Sequence, residues 1–501
     1  VEILLPYPYT ESTDPLMTPA SKHSFYASKT SERLHDERAA TSLIKRVGDL
    51  FFDKNVHVVL FRQALVDQRP SELLQAHVHA SNMAGEAITV QDSLAMIKAL
   101  QETLVQNSSI DIGRMAVEWK REAGVYLERN AFIHAKLKAF MNSQNPDSEP
   151  VDVVLYGFGR IGRLVARELI SQEGRGNQLR LRGIVTRGED EVSLEKRASL
   201  LRVDSIHGQF PGTVETDHEN NALIVNGRPV VMIAASDPTK IDYTAYGIDN
   251  ALIIDNTGAF RDREALNLHT QAKGASKVLL TAPGGGVPNI VFGVNHLDVD
   301  KDETIFSAAS CTTNAIVPVL KVIEDVLGIE QGHIETIHAY TNDQNLVDNM
   351  HKKYRRGRAA AVNMVITETG AGKAVDKVIP GLGSRLTSNA IRVPVPNGSL
   401  AILNLSLKKT TDREAFNAIM KDAAYEGKLV EQIKFSMSAE LVSSDIVGDS
   451  CCAIFDSEAT VMHHDGKHVV IYVWYDNEYG YTRQVMRLAK HVANVSRKSY
   501  F

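Results

Sequence analysis

The sequence predicts an α/β protein in which two domains follow a helical N-terminal region. Three observations lead to this fold class. Apolar residues recur at helical spacing between residues 30 and 142, and strand-sized apolar runs alternate with helical segments after Pro150. Beyond Cys311 the predicted strands are longer and alternate apolar with polar residues, which favours a mixed or antiparallel sheet.

Composition excludes several classes of protein. The chain has 501 residues, of which 44% are hydrophobic and 23% charged, so it is neither disordered nor fibrous. A formal net charge of -6 argues against a protein that coats nucleic acid, and no nucleic-acid partner is expected. The 3 cysteines, Cys311, Cys451 and Cys452, give no disulfide framework, so we expect a reducing, cytoplasmic location. No apolar run approaches the ~20 residues of a membrane span.

The N-terminal region, residues 1–148, is predicted to be helical. Leu43, Val47 and Leu50 illustrate the spacing, and the polar stretch 141–149 predicts a linker. Its histidines and acids, such as His77 and His79, form no metal-ligand spacing, and no metal site is predicted. A packing or oligomerisation element and a regulatory or partner-binding module both remain open for this region.

Two domains are predicted after the linker. Residues 151–310 carry the alternating strands, for example 151–155, 179–185 and 251–255, and predict a parallel sheet with crossover helices. Residues 311–476 are predicted to form an α+β domain. The C-terminal segment, residues 477–501, is predicted to contain an amphipathic helix that packs back on the first of these domains.

A glycine-rich turn follows the first of these strands. Gly157, Gly159 and Gly162 form a GxGxxG pattern that also contains Arg160 and Ile161, and an apolar helix pattern comes after it. The first glycine permits a tight turn, the second admits a pyrophosphate, and the third lets the helix pack on the strand. Free N–H groups at the helix N-terminus then face the phosphates. This context predicts a doubly wound, Rossmann-type domain that binds a dinucleotide.

The second strand of that domain ends in Thr186 and Arg187 rather than in an acid. An acid binds the ribose hydroxyls of NAD, whereas an arginine accepts the 2′-phosphate of NADP. NADP, or use of both cofactors, is therefore credible. Two readings remain open: Glu189 or Asp190 reaches the ribose, or Arg187 is a solvated loop residue.

A second motif, residues 307–314 (SAASCTTN), places Cys311 at the start of an apolar-periodic helix with Ser310 as a plausible N-cap. The helix N-terminus stabilises a thiolate there and so prepares a nucleophile. Taken alone, a buried inert cysteine is the more ordinary interpretation. His338, in a strand-like run, could supply the base, although the chain has 17 histidines and a lone strand histidine is more often structural.

A third set of residues suits a dianionic phosphate because it combines hydroxyls, exposed backbone N–H groups and a guanidinium. Taken alone, such scattered residues are usually on the surface, and their joint meaning depends on the fold. The set consists of Ser310, Thr312, Thr341, Thr369, Gly370 and Arg392.

From residue 151 to about 495, these motifs resemble phosphorylating glyceraldehyde-3-phosphate dehydrogenase. Several motifs recur in the order found in that family, which makes coincidence an unsatisfactory explanation. They are GFGRIGR at 157–163, DSIHG at 204–208, SCTTN at 310–314, HAYTNDQ at 338–344, TGAG at 369–372, IRVPVPN at 391–397 and WYDNEYG at 474–480. The first 150 residues have no counterpart in short members, so the chain resembles a long form.

The resemblance implies a role for each matching residue. Cys311 is implied as the nucleophile and His338 as its base. Thr341 and Arg392 match the site for the substrate's own phosphate. The site linked to the attacking phosphate is matched by Ser310, Thr312, Thr369 and Gly370. The dinucleotide turn is matched by Arg160 and Ile161, and the nicotinamide end by Thr281 and Asn477. The resemblance also implies glyceraldehyde 3-phosphate and inorganic phosphate as substrates, and a homotetramer.

Three departures from the family pattern stand out. Tyr156 replaces the asparagine before the glycine turn, the ribose-binding acid is missing, and the loop 346–351 lacks a Leu-Pro pair. The last two lean toward NADP, so NAD and NADP remain open, as do glycolytic and gluconeogenic use. Erythrose-4-phosphate dehydrogenase, from the same family, and a non-catalytic binding member are the alternative functions.

Overall fold

The computed structural model describes residues 19–122, 124–141, 150–173, 178–188 and 191–501, without the side chains of residues 19–22 and 83. The chain divides into two compact units, residues 1–144 with 498–501, and residues 145–497. Apart from Met141, the predicted linker 141–149 lies outside the described residues of either unit. No helix in the described ranges is long and apolar enough to cross a membrane.

The first unit begins with a long helix and then mixes short strands with helices. Its elements before the linker are α1 (Pro19–Lys54), β1 (His57–Leu60), β2 (Gln63–Ala64), α2 (Pro70–Ala84), α3 (Val90–Gln101), β3 (Ser108–Asp111), α4 (Ile112–Glu122), α5 (Arg129–Lys136) and α6 (Lys138–Met141). Its core holds the residues whose spacing predicted helices, including Leu43, Val47 and Leu50.

The second unit opens with a sheet of eight strands. The elements that build this sheet and its flanks are β4 (Val151–Tyr156), α7 (Arg160–Gln172), β5 (Leu179–Thr186), α8 (Glu191–Arg202), β6 (Val203–Asp204), β7 (Gly208–Gln209), β8 (Val214–Asp217), β9 (Ala222–Val225), β10 (Arg228–Ala234), β11 (Ala251–Asp255), α9 (Arg263–Thr270), β12 (Ala275–Leu280) and β13 (Ile305–Ser307). The strand order is β13-β12-β11-β4-β5-β10-β9-β8, and the six strands from β13 to β10 pair in parallel. This is the doubly wound sheet that the sequence predicts.

The second sheet of this unit is mixed. Its elements and flanking helices are α10 (Cys311–Val326), β14 (Ile329–Ala339), β15 (Val365–Thr367), α11 (Ala371–Val378), β16 (Leu386–Val393), β17 (Ser399–Leu407), α12 (Arg413–Tyr425), β18 (Ile433–Ser436), β19 (Ala453–Asp456), β20 (Val461–Met462), β21 (His468–Tyr475) and α13 (Tyr479–Val492). The strand order is β15-β16-β14-β17-β21-β19-β18, with β14 and β16 parallel and β14, β17 and β21 antiparallel to one another in turn.

Helix α13 packs into the core beside the doubly wound sheet of the second unit. Its residues Val485, Leu488 and Val492 share one hydrophobic cluster with Leu155 and Leu169. The chain does not remain helical to its end. Lys498–Tyr500 form a last strand, β22, which pairs in parallel with β3 of the first unit.

The prediction of a purely helical N-terminal region was therefore incomplete. Its sheet has the order β2-β1-β3-β22, in which β1 and β3 have four residues each. Strands this short carry too few positions to show a period of two. One of the two strands that pair with β3, namely β22, lies at the opposite end of the chain, which no local pattern can reveal.

Candidate functional site

Cys311 is the first residue of α10, and the turn before it is firmly held. The Ser310 hydroxyl caps the helix by accepting a hydrogen bond from the Thr313 backbone N–H at 3.0 Å. Ala309 has φ of 55°, a left-handed conformation that non-glycine residues rarely adopt. The Tyr481 hydroxyl donates to the Ala309 carbonyl at 2.9 Å and so fixes the strained residue. The fold thereby presents the sulfur at a defined position.

His338 lies beside Cys311 and next to Arg392. Strands β14 and β16 pair His338 with Arg392 in register, which makes the two residues neighbours. The His338 Nε2 atom is 3.5 Å from the Cys311 sulfur. On the other side of the ring, Nδ1 is 2.7 Å from the Ala339 carbonyl oxygen, to which Arg392 also donates at 2.8 Å. Nδ1 thus lies close to an acceptor, the Ala339 oxygen, and also to a donor, Arg392 Nη1 at 2.8 Å. With the ring proton on Nδ1, donated to Ala339, the Nε2 lone pair faces the sulfur.

Burial keeps both members of this pair neutral. Burial and, to a smaller extent, the positive charge of Arg392 together lower the pKa of His338 to about 3. Burial also raises the pKa of the Cys311 thiol, although Arg392 and the Thr312 backbone N–H oppose this. The thiolate expected at a helix N-terminus is therefore outweighed by burial. The proton rests on sulfur, with a base poised to receive it.

Arg392 offers unused donor capacity toward an anion. Its Nε atom is buried and has no hydrogen-bond partner among the described residues. Burial lowers the pKa of Arg392, and repulsion by Arg356, a residue that no sequence motif indicated, lowers it as well. Arg356 pairs with Asp343 and donates to the Thr367 hydroxyl at 3.0 Å. Two guanidinium groups with an unsatisfied donor suit a phosphate, and the basic run 352–358 was the available signal.

The predicted phosphate-binding hydroxyls fall into two groups. Ser310 and Thr312 already have partners in the protein, since the Ser310 oxygen lies 2.7 Å from the Thr313 hydroxyl and Thr312 lies 3.1 Å from the Tyr475 hydroxyl. Thr341 lies in the loop directly after β14. Thr369 and Gly370 lead into α11, with Gly370 as its N-cap. Both of these segments adjoin strands that flank β16 or pair with it.

The glycine turn between β4 and α7 has the shape that a dinucleotide requires. Gly157 has φ of 96°, and a Cβ there would lie 2.8 Å from Thr257. A Cβ on Gly162 would lie 2.4 Å from the Gly157 carbonyl oxygen, so only glycine lets the helix approach the strand. At Gly159, by contrast, a Cβ would meet nothing within 4 Å. That open space, in front of the α7 N-terminus, fits a pyrophosphate.

The side chains of Arg160 and Ile161 hold this turn in place through contacts with other parts of the second unit. Arg160 donates to both carboxylate oxygens of Glu478, at 2.7 and 2.6 Å, and also pairs with Asp204. His207 lies 3.0 Å from the same Glu478 carboxylate. The DSIHG and DNE motifs, which are far apart in sequence, thus meet in one charged network. Ile161 packs against the core of the first sheet.

A cavity of about 250 Å³ lies beside the turn, where an adenosine would follow the pyrophosphate. Arg187 is exposed at its wall, and no described residue lining the cavity is acidic. Burial raises the pKa of Tyr156 to about 12, so its hydroxyl stays neutral. Glu189 and Asp190 lie outside the described residues. The lining consists of Tyr156, Gly157, Phe158, Val185, Thr186, Arg187, Ala235, Ser236, Thr257, Ala259 and Phe260.

The two residues expected at the nicotinamide end are placed differently. The Asn477 side-chain oxygen accepts from the Ser399 hydroxyl at 2.7 Å, which orients its amide N–H₂ for a ligand. Ser399 also accepts from the Ala339 backbone N–H at 3.0 Å and so ties Asn477 to the strand of His338. The Thr281 hydroxyl donates a hydrogen bond to the Asp255 backbone carbonyl at 3.0 Å. No sequence motif pointed to Ser399.

Comparison with known proteins shows the family of this chain. Residues 151–263 match the family model of the glyceraldehyde 3-phosphate dehydrogenase NAD binding domain, and residues 310–477 match the C-terminal domain of the same enzyme. A glyceraldehyde-3-phosphate dehydrogenase-like protein of Pseudomonas aeruginosa is 49% identical over 91% of this chain and 99% of its own length.

The glyceraldehyde-3-phosphate dehydrogenases of Clostridium pasteurianum and Streptococcus pyogenes are 42% and 41% identical, each over 69% of this chain and 99% of their own length. The resemblance and the fold class that the sequence predicted are thus confirmed, including an N-terminal region that the shorter relatives lack. The NAD binding domain supports NAD or NADP as cofactor. The chain belongs to the glyceraldehyde 3-phosphate dehydrogenase family of oxidoreductases.

Proposed function

We propose that this protein is a phosphorylating glyceraldehyde-3-phosphate dehydrogenase. It oxidises D-glyceraldehyde 3-phosphate with NAD⁺ or NADP⁺ and inorganic phosphate to 1,3-bisphosphoglycerate. One observation carries the proposal: a thiol at a helix N-terminus lies 3.5 Å from a histidine base, and that base touches an arginine with an unsatisfied buried donor. A thiol, a base and an anion site are the parts that this reaction needs.

In the first step the Cys311 sulfur attacks the aldehyde carbon. A carbon–sulfur bond forms as the thiol proton passes through His338 Nε2 to the carbonyl oxygen, which gives a thiohemiacetal. The backbone N–H of Cys311 and the protonated His338 stabilise the developing oxyanion. Burial and the positive charge of Arg392 hold the pKa of His338 low, and binding of the substrate phosphate beside Arg392 offsets the second of these effects. Substrate binding thus prepares the base.

In the second step His338 takes the hydroxyl proton while a hydride leaves the same carbon, and a thioester remains on Cys311. Bound NAD⁺ or NADP⁺ supplies the hydride acceptor. Asn477, held by Ser399, orients the carboxamide at that end of the cofactor site. The glycine turn and the α7 N-terminus hold the pyrophosphate at the other end.

In the third step an oxygen of inorganic phosphate attacks the thioester carbon. The carbon–sulfur bond breaks, the acyl phosphate forms, and the Cys311 sulfur leaves and is reprotonated. For this attacking phosphate we propose a site formed by Thr369 and Gly370, at the start of α11, together with Ser310 and Thr312. Thr341 and Arg392 are proposed for the phosphate of the substrate.

For the cofactor, we propose that the protein accepts NADP, either alone or together with NAD. Arg187 at the wall of the adenosine cavity, and the lack of an acid among its described lining residues, support acceptance of a 2′-phosphate. The location proposed from the low cysteine count is the cytoplasm, where thiols stay reduced.

The assembly proposed is a homotetramer. A run of exposed apolar side chains between residues 346 and 366 supports self-association, because a monomer rarely exposes so many together. It includes Leu346, Val347, Met350, Tyr354, Val362, Met364 and Ile366.

Initial rates of cofactor reduction test the function directly. The assay uses glyceraldehyde 3-phosphate with NAD⁺ and NADP⁺ separately, each with and without inorganic phosphate. Phosphate-dependent reduction is the expected result. Faster reduction with erythrose 4-phosphate would move the assignment to that substrate. Absence of reduction with either sugar phosphate, in folded protein with a titratable Cys311, would indicate a non-catalytic binding protein.

A further inference from the structure

A hairpin far from the dehydrogenase site brings two histidines and an aspartate together. It joins β20 to β21, and the His463 backbone N–H donates to the His468 carbonyl at 2.8 Å. This cross-strand pairing sets the two imidazoles side by side. Asp465 lies in the turn between them, and all three side chains are exposed.

The three side chains bring their potential ligand atoms close to one another. One Asp465 carboxylate oxygen, Oδ2, is 3.1 Å from His463 Nδ1 and 2.6 Å from His468 Nδ1. One nitrogen from each histidine and one carboxylate oxygen all fall within 4.8 Å of one another. Metal–ligand bonds of about 2.0–2.1 Å place tetrahedral ligands roughly 3.3 Å apart. Small side-chain adjustments are enough to admit the ion.

Hydrogen bonds within the hairpin turn fix the position of the Asp465 side chain. The second carboxylate oxygen of Asp465, Oδ1, accepts from the backbone N–H groups of Lys467 at 2.8 Å and His468 at 3.1 Å. Gly466 has φ of 65°, and a Cβ there would lie 2.5 Å from the Thr411 carbonyl oxygen. The turn is therefore fixed, and Oδ2 faces the two imidazoles, where an ion would replace its hydrogen bond with His468 Nδ1. Hydrogen bonds that orient a ligand in this way strengthen metal sites.

We propose that His463, Asp465 and His468 form a binding site for a divalent transition metal ion of the zinc class, with water completing the coordination. Imidazole with carboxylate suits Zn²⁺, Ni²⁺ or Cu²⁺, whereas Mg²⁺ and Ca²⁺ prefer oxygen ligands. The eight residues of β21 separate the site by roughly 23 Å from Tyr475, which adjoins Thr312. The ion consequently stiffens the hairpin and takes no part in the dehydrogenase reaction.

Titration calorimetry with zinc chloride tests the site in the full chain. The parent carries Cys311→Ser, because a reactive thiol also binds zinc. We expect one zinc ion per chain, and an affinity lowered at least about tenfold in both His463→Ala and His468→Ala. The matched control is His218→Ala, which removes an exposed histidine that also faces a carboxylate, Glu195, at 3.0 Å. This control should bind zinc like the parent.

Thermal unfolding supplies the second measurement. Zinc should raise the unfolding midpoint of the parent and of the His218 control but not that of the two hairpin variants, and an excess of Mg²⁺ should not compete. Equal midpoints without metal show that the variants are folded. A parent that binds no zinc, or hairpin variants that bind it as tightly as the parent, would overturn the proposal.

Discussion

Two buried histidines, one in each unit of this chain, use their ring nitrogens in opposite ways. His77, in the first unit, and His338, in the second, are both buried, and burial lowers the pKa of each. His77 satisfies both ring nitrogens, on the Leu73 carbonyl at 2.7 Å and the Ser93 hydroxyl at 2.8 Å. His338 instead faces a thiol at 3.5 Å and a guanidinium at 2.8 Å.

Buried Asp111 repeats the pattern of the first unit, because its carboxylate accepts backbone N–H groups from Phe61, Arg62, Gly113 and Arg114. A buried polar group with every partner supplied stabilises a fold. A buried group held beside a reactive atom marks a site. The contrast supports the catalytic role proposed for His338 in the second unit and favours a structural role for His77 and Asp111 in the first.

The largest effect is expected from Cys311→Ser. A serine hydroxyl cannot replace the sulfur, so turnover should fall by about 10⁴-fold or more while cofactor binding persists. Steady-state rates and cofactor titration by fluorescence measure the two properties. Cys451→Ala, at a buried cysteine outside the site, is the control and should retain turnover. Normal turnover by the Cys311 variant would refute the assigned nucleophile.

The comparison itself is tested by replacing each histidine with asparagine. His338→Asn should lower kcat by about 10²–10⁴-fold, because it removes the base beside Cys311. His77→Asn should leave kcat unchanged and lower the free energy of unfolding by about 1–3 kcal/mol, through lost hydrogen bonds to Leu73 and Ser93. Loss of kcat in the His77 variant would show that the first unit also serves the chemistry.

Tyr500 tests how the C-terminal strand stabilises the first unit. Its hydroxyl pairs with Glu118, and the Arg114 guanidinium lies 5.6 Å from its ring. Tyr500→Ala should lower the free energy of unfolding of the first unit by about 2–3 kcal/mol and speed hydrogen exchange in Ser108–Asp111. It should leave kcat unchanged. Exposed Lys498, replaced by Ala, is the control. A point variant is sharper than deleting residues 1–148, which would leave β22 without its sheet.

Acid stability offers a test of the charge on His338. Its pKa is about 3 in the folded chain, against an ordinary value of 6.5. As the pH falls below 6.5, the unfolded chain takes up a proton that the folded chain refuses, so stability is lost between pH 6.5 and 3. Relative to His338→Asn, the parent should lose about 2 kcal/mol between pH 8 and pH 5. Equal losses in urea unfolding at the two pH values would contradict a neutral His338.

Much of the second unit could be predicted because its chemistry depends on local patterns. A glycine turn, a helix-capped cysteine and a strand histidine each carry their signal within a few residues, as at Gly157, Cys311 and His338. Pairing across a sheet carries no such signal. The register that sets His338 beside Arg392, and the bond from Ser399 to Asn477, exist only once strands meet.

The charge state of the site was equally hidden from the sequence. The helix N-terminus favours a thiolate at Cys311, yet burial wins and raises its pKa. Burial depends on the packing of α10 against two sheets, to which both Ala308 and Ala309 contribute. The short strands of the first unit were missed for the related reason that β3 pairs with strands distant in sequence, β1 and β22.

The smallest expected effect concerns Arg187. This exposed residue, proposed to choose the cofactor, contrasts with Cys311 and His338, the less exposed groups proposed for catalysis in the same unit. Arg187→Asp should shift the ratio of kcat/KM for NADP to that for NAD by about tenfold toward NAD, because a carboxylate repels a 2′-phosphate and accepts from ribose hydroxyls. Steady-state kinetics with both cofactors measure the ratio. Arg261, exposed near the glycine turn and bonded to the Gly258 carbonyl at 2.7 Å, provides the control as Arg261→Asp, which should leave the ratio unchanged. An unchanged ratio in the Arg187 variant would show that other residues around the cavity choose the cofactor.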